Sequence, residues 1–211
     1  MTLLVLASGS PRRRQLLGEL GVPFEVRPAD VDETPAPGEA ADDLVRRLAV
    51  DKAEAALATA PEPEVVVLAA DTVVAVEGEV LGKPVDEADA ARMLRLLSGT
   101  RHQVLTGVAV GRRSAPVLAG EPDGAALAPA VSVEVEVVVT HVHMRVWTDD
   151  EIAAYVASGE PMDKAGSYAI QEVGDRFVTE IEGSFDNVVG LPMALVRRML
   201  ADAGVALPDA G

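Results

Sequence analysis

Leu3-Leu4-Val5-Leu6-Ala7-Ser8-Gly9-Ser10-Pro11-Arg12-Arg13-Arg14 is an apolar run that passes through a short turn into a basic segment headed by proline. Continuous apolar residues bounded by turn residues read as a strand covered on both faces. Pro11 stands where the first turn of a helix tolerates a missing amide hydrogen, so the turn leads into a helix N-terminus. Free backbone amides at such an end favour an anion. Gly9 lets the backbone approach closely, Ser8 and Ser10 can donate hydrogen bonds, and Arg12, Arg13 and Arg14 can neutralise a polyphosphate. Phosphate binding is the reading this chemistry favours. An ordinary capped helix with solvated arginines accounts for this segment alone equally well.

Downstream, segments of helical and strand period alternate, which predicts an α/β fold with a mixed β-sheet flanked by helices. The spacing predicts a helix over Arg12–Leu20 closed by Gly21, and an extended piece at Phe24-Glu25-Val26. Asp30 to Ala41 reads as a loop because of Pro35, Pro37 and Gly38, with Glu33 among acids that can face a cleft. An alanine-rich helix follows over Ala41–Ala60. In it Leu44, Leu48 and Lys52 recur at helical spacing, with Lys52 at the edge of the apolar face. Val65 to Ala70 is the clearest central strand, and it is expected to deliver Asp71 and Thr72 to its C-terminal end, where ligands of open α/β sheets sit. Val73–Val76 and Glu79–Leu81 read as a hairpin around Glu77-Gly78, which brings Lys83 near a strand end.

A helix is expected over Asp86–Leu97, then two β segments over Gln103–Gly111 and Val133–Arg145. The stretch 112–131 between them is rich in Ala, Pro and Gly and reads as a mobile insertion. Thr148 and Glu151 have capping-box spacing at the head of a helix running to Ala157, and Gly159 ends it. Asn187 to Leu200 supplies a closing helix after Pro192, and 205–211 reads as a frayed tail. The organisation expected is a single domain over 1–204, with two lobes.

Composition bounds the partners. With 34 acidic against 18 basic residues the formal charge is −16, which disfavours non-specific binding to nucleic acid or an anionic membrane. A small anionic ligand must therefore meet a locally basic pocket. No cysteine is present, so there is no disulfide framework, thiolate metal site or nucleophilic thiol. The N-terminal apolar run is too short for a membrane span and lacks the flanks of a signal peptide, so a cytoplasmic location is expected.

Five further blocks join the N-terminal one: Ala70-Asp71-Thr72-Val73-Val74, Gly82-Lys83-Pro84, Ser98-Gly99-Thr100-Arg101-His102, Gly159-Glu160-Pro161-Met162-Asp163-Lys164-Ala165-Gly166-Ser167-Tyr168-Ala169-Ile170-Gln171, and Gly183-Ser184-Phe185-Asp186-Asn187-Val188-Val189-Gly190-Leu191-Pro192. In this order, from about Leu3 to Leu200, the chain resembles the Maf family of nucleoside triphosphate pyrophosphatases. The resemblance implies an elongated, twisted mixed sheet like that of inosine triphosphatases, with an active-site cleft between two lobes. The Asp-Lys-Ala-Gly and Ile-Gln wording resembles the branch acting on dTTP and UTP, with modified pyrimidine triphosphates as further substrates, rather than the branch acting on 7-methyl-GTP. Family analogy associates Arg12, Thr72 and Gln171 with substrate choice and puts Lys164 near the nucleotide. It has Ser8, Ser10 and Arg13 complete the phosphate turn, and it implies a homodimer. The family is also associated with septum inhibition, so a nucleotide-binding regulator of cell division is the rival reading. The chain departs from the usual wording at Glu172-Val173-Gly174 and in the length of 112–131.

The chemistry so implied is water attack on a triphosphate, releasing pyrophosphate. Charge neutralisation is its main requirement, and Arg12, Arg13, Lys52 and Lys83 can supply it. Asp71 is the expected proton acceptor or metal ligand, with Glu33 as second carboxylate; Mg²⁺ or Mn²⁺ is the expected cofactor. Taken singly, Asp71 reads as a turn carboxylate, and Lys52 and Lys164 as solvated or snorkelling charges; the ordered blocks reverse this for Asp71. Gln171 has an amide suited to a base edge. His102, His141 and His143 are not expected to form a dedicated zinc site.

Overall fold

A computed structural model describes residues 2–114, 130–170 and 176–208. Its first unit is the expected strand, turn and helix: β1 (Leu3–Leu6) leads through Ser10, whose side chain caps α1 (Pro11–Gly18). A short β2 (Glu25–Val26) and the long α2 (Ala41–Thr59) follow. The central strand β3 (Val65–Val76) turns through Glu77 and Gly78, both at positive φ, into β4 (Glu79–Leu81). Two such residues form the hairpin turn whose twist matches its strands. Next come α3 (Glu87–Leu97), β5 (Arg101–Arg113), β6 (Val131–Met144) and α4 (Asp149–Ala157), the last headed by the Thr148–Glu151 capping box. Two 3₁₀ turns (Glu160–Asp163 and Ala165–Ser167) precede β7 (Val178–Glu182), α5 (Phe185–Val189) and α6 (Met193–Asp202).

Among the described residues the strands form one mixed sheet in the order β2-β1-β3-β5-β6-β7, with β4 on β3. The β2–β1–β3 part is parallel and the rest antiparallel. Because side chains alternate along a strand, β3 feeds two cores at once. Val66, Leu68 and Ala70 face α1 and α6 with Leu4 and Leu6, while Val65, Val67 and Ala69 face α2 with Ala49, Ala53 and Leu57. A third core gathers α3, α4, Trp147 and Tyr168 around Val74 and Val104. α2 comes very close to β5 because Gly107 has no side chain. A Cβ there would overlap the Val45 carbonyl.

Several expectations need correction. β3 does not end at Ala70; the valines after Thr72 keep it in the sheet to Val76, so Asp71 and Thr72 lie mid-strand. What ends there is the neighbour. β1 pairs with β3 only as far as Leu6↔Leu68, and β4 takes up the same edge only from Val74↔Leu81. This leaves a notch beside Ala70, Asp71 and Thr72, while β5 continues unbroken on the other edge with Asp71↔Gly107 and Thr72↔Thr106. Arg112, Arg113 and Val131, expected in an insertion, are strand residues paired as Arg113↔Val131; residues 115–129 of that insertion lie outside the described ones. The closing helix does follow Pro192 as expected, as α6, but the stretch before it belongs to a separate short helix, α5, that ends at Gly190. Val205 and Leu207, expected in a frayed tail, pack against the first core, and the Val205 amide donates to the Leu200 carbonyl.

Candidate active site

The notch opens into a cleft of about 680 Å³. Its walls include the Ser8–Arg13 turn, Glu33, Lys52, Asp71, Thr72, Lys83, Lys164 and the Tyr168–Ile170 segment. Strand period explains how one cleft collects groups from both faces of the sheet. Asp71 points to the α2 face and Thr72 to the opposite one, and only a break in the sheet exposes both.

On the α2 face, Lys52 follows Leu44 and Leu48 at four-residue steps and lies inside the buried stripe, only 7% exposed, not at its edge. Burial of an ammonium requires partners. Lys52 Nζ has two, Asp71 Oδ1 at 2.6 Å and Glu33 Oε1 at 2.6 Å. Asp71 is itself 8% exposed, and its Oδ2 makes no hydrogen bond among the described residues. Burial pushes the Glu33 carboxyl up, but the hydrogen bond and charge of Lys52, with Lys83 and Arg13, outweigh this and hold it below its ordinary range. Lys83 is exposed just beyond β4, and among the described residues it makes no ion pair. Two carboxylates converging on one point of positive charge also fit a hard divalent ion, which takes one or two carboxylates and completes its shell from water and substrate phosphates.

On the other face Arg13 ties three walls together. Its Nε donates to the Gly190 carbonyl at 2.8 Å, Nη1 to Ser8 Oγ at 3.2 Å and the Ala70 carbonyl at 2.9 Å, and Nη2 to Thr72 Oγ1 at 2.9 Å. Four of the five guanidinium N–H groups are thereby used, and the notch-edge carbonyl of Ala70 gains the donor that a neighbouring strand would have provided. Burial draws the Arg13 pKa down while Asp71 pulls it back, and the group remains a cation. Ser8 Oγ accepts from Arg13 and from the Ser10 amide at 3.3 Å, so both lone pairs are occupied. What Ser8 has left for a ligand is its proton, which suits a phosphate oxygen. Ser10 caps α1 by accepting from the Arg13 amide at 3.4 Å.

At the mouth, Asp163 links the two sides. It accepts from Arg12 Nη1 at 3.4 Å and from Lys164 Nζ at 2.8 Å, and Lys164 also donates to the Glu160 carbonyl at 2.6 Å. Burial pushes Asp163 up, yet the hydrogen bond and charge of Lys164, then Arg12, bring it below its ordinary range. This carboxylate is exposed, with 62% of its side chain open to solvent. Sequence reading missed Asp163, although it stands beside Lys164 in a quoted block. It also missed Thr106, a lone hydroxyl in an apolar strand, and Asn187, both of which support Thr72.

Gln171 and the Glu172-Val173-Gly174 departure lie outside the described residues. The histidines are remote from the cleft chemistry. His102 is buried with Nε2 2.7 Å from the Tyr168 hydroxyl, behind the cleft wall. His143 lies beside Glu180 and Glu182 on the β6–β7 surface, where ligand atoms of the three are within 4.8 Å of one another. Among the described residues no helix is long and apolar enough to cross a membrane.

The chain is similar to known proteins over nearly its whole length. The family described as Maf-like protein matches residues 3–203. A dTTP/UTP pyrophosphatase of Anaeromyxobacter dehalogenans (strain 2CP-C) is 54% identical over 205 residues, covering 97% of this chain and 96% of that protein. One from Geobacter sulfurreducens is 50% identical, covering 95% and 96%. One from Shewanella oneidensis is 47% identical, covering 96% and 98%.

Proposed function

The chain belongs to the Maf family, and from that premise we propose that it hydrolyses dTTP and UTP to the monophosphate and pyrophosphate, with Asp71 as the proton acceptor. One observation carries this reading. The N-terminus of α1, Arg12, Lys83 and the Lys52 ammonium converge on the same notch as a carboxylate with one oxygen unbonded among the described residues. In a chain of charge −16, such local concentration of cations is a binding device for a small polyanion.

The residues divide the work. Arg12, Lys83 and the Ser8 hydroxyl neutralise and orient the phosphates, so that an electron-rich oxygen can approach phosphorus. Lys164, released from Asp163 by the incoming anion, adds a further positive charge. Lys52 fixes Asp71 through Oδ1, which leaves Oδ2 to take the proton from the attacking water. Arg13 holds the notch open and keeps one N–H for substrate. Asp71 and Glu33 would hold Mg²⁺ or Mn²⁺, which supplies charge neutralisation and a more acidic water. Selectivity for pyrimidines is the finer part of the reading and rests on Arg12, Thr72 and Gln171.

A panel of dTTP, UTP, CTP, 7-methyl-GTP and purine triphosphates, incubated with purified protein and Mg²⁺ or Mn²⁺, tests the proposal. Preferred, metal-dependent cleavage of dTTP and UTP is expected. Preferred cleavage of 7-methyl-GTP would overturn the substrate assignment, and tight binding without turnover would favour a regulator.

A further inference from the structure

Arg13, Thr72, Thr106 and Asn187 form a chain of hydrogen bonds whose direction is fixed from its far end. The Asn187 carbonyl can only accept, so Thr106 donates its single proton to it at 3.1 Å. That carbonyl is firmly held. The Asn187 amide group donates to the Val104 carbonyl and to Thr140 Oγ1, both at 3.0 Å, and its backbone N–H donates to Ser184 Oγ at 3.1 Å. Thr72 Oγ1 lies 2.9 Å from Thr106 Oγ1. With the Thr106 proton committed, Thr72 must be the donor in that contact. Arg13 Nη2, which has no accepting capacity, donates to the same Thr72 oxygen at 2.9 Å. Thr72 has therefore spent its proton and one lone pair. It presents one remaining lone pair to the cleft, the opposite of Ser8, which presents only a proton.

We propose that Thr106 is a positioning residue: by taking the Thr72 proton it fixes Thr72, a position the family resemblance already associates with substrate choice, as an obligate hydrogen-bond acceptor for the imide N3–H shared by uracil and thymine. The proposal rests on the dTTP and UTP reading above. Other donors on the substrate are eliminated by chemistry. Phosphate oxygens are acceptors and would face the lone pair unfavourably. The ribose 2′-hydroxyl is present in UTP and absent from dTTP, and the 3′-hydroxyl belongs to every nucleotide, so neither can select these two together. The imide N–H is common to both, and cytosine replaces it with a lone pair. A site built around a fixed acceptor discriminates strongly against a ligand that presents a second acceptor, because both are left unpaired.

The test is the UTP-to-CTP ratio of kcat/KM in Thr106→Val, with Thr106→Ser as the conservative control. Valine preserves strand shape and removes the hydroxyl that takes the Thr72 proton. The freed Thr72 hydroxyl can then turn and donate to cytosine N3. The ratio should fall about tenfold in Thr106→Val, the worth of one directional hydrogen bond, and recover in Thr106→Ser. An equal loss on both nucleotides, or an unchanged ratio in folded Thr106→Val, would overturn the proposal, since a merely structural role moves activity and not preference. Should Thr106→Val not fold, 3-methyl-UTP with the parent enzyme replaces it. Turnover of that nucleotide as fast as UTP would overturn the proposal, and a loss of about tenfold or more supports it. If the parent enzyme cleaves neither UTP nor dTTP, the functional reading falls and takes this assignment with it; cleavage of UTP with an unmoved ratio removes the assignment alone.

Discussion

Replacing Lys52 by methionine removes a charge while roughly keeping the volume of the α2 stripe, and the two carboxylates it serves should respond differently. The Glu33 side chain is 51% exposed and can be resolvated, whereas that of Asp71 is 11% exposed. Among the described residues Asp71 has no other charged partner within 4 Å. Removing one member of a buried pair costs about 3–5 kcal/mol, because the other charge is left without compensation. Since cleft water reaches Asp71, the lower figure applies, about 3 kcal/mol. For a chain of this length that corresponds to a fall in Tm of about 6–12 °C. The mirror-image variant, Asp71→Asn, leaves Lys52 with Glu33 still 2.6 Å away. It should cost only about 1 kcal/mol, or about 2–4 °C. The double variant Lys52→Met/Asp71→Asn buries no lone charge and should be more stable than Lys52→Met alone, a reversal of additivity. Thermal and urea unfolding of the three variants at pH 7 provides the comparison. Equal losses in both single variants, or additive losses in the double one, would refute the claim that Lys52 compensates a buried Asp71.

Three further outcomes follow from the same geometry. Asp71→Asn should lower kcat on dTTP by about 10²–10⁴, since it removes the proton acceptor; steady-state kinetics checks it. Burial, aided by the charge of His143, pushes His102 from 6.5 down to about 4. The native state thus holds it neutral while the unfolded state binds a proton below 6.5. Its contribution to stability is complete above that pH and is lost as pH falls towards 4, at about 1.4 kcal/mol per unit and about 3 kcal/mol in all. Urea midpoints of His102→Gln should show a correspondingly flatter profile between these values than the parent, and parallel profiles would contradict it. Gly107→Ala should destabilise by about 3 kcal/mol or more, because a methyl group there meets the Val45 backbone and pushes away the helix that carries Lys52; a melting curve unchanged from the parent would contradict the close contact.

How much of this was legible beforehand depended on whether the information was local. The β1-turn-α1 unit, the Glu77-Gly78 hairpin and the Thr148–Glu151 capping box are short-range signals, and all three form as read. Pro192 is an equally local signal, and the closing helix starts directly after it. The notch was not legible, because it arises from where β1 stops and β4 starts along a common edge, a matter of pairing and not of residue type. For the same reason Asp71 read as the end of its own strand when it lies beyond the end of its neighbour. Lys52 at four-residue steps from Leu44 and Leu48 did carry a signal for burial, masked by the usual exposure of lysine. The inward turn of Arg13 towards Ala70, Thr72 and Gly190 and the Thr106–Asn187 support of Thr72 join groups 34 to 177 positions apart, beyond any local pattern.

The most direct test of the central claim is to follow dTTP with the purified protein and Mg²⁺ and to separate all products by ion-exchange chromatography. Equal amounts of dTMP and pyrophosphate, abolished in Asp71→Asn, are predicted. Release of dTDP and orthophosphate, or undiminished dTMP formation by Asp71→Asn, would contradict the account.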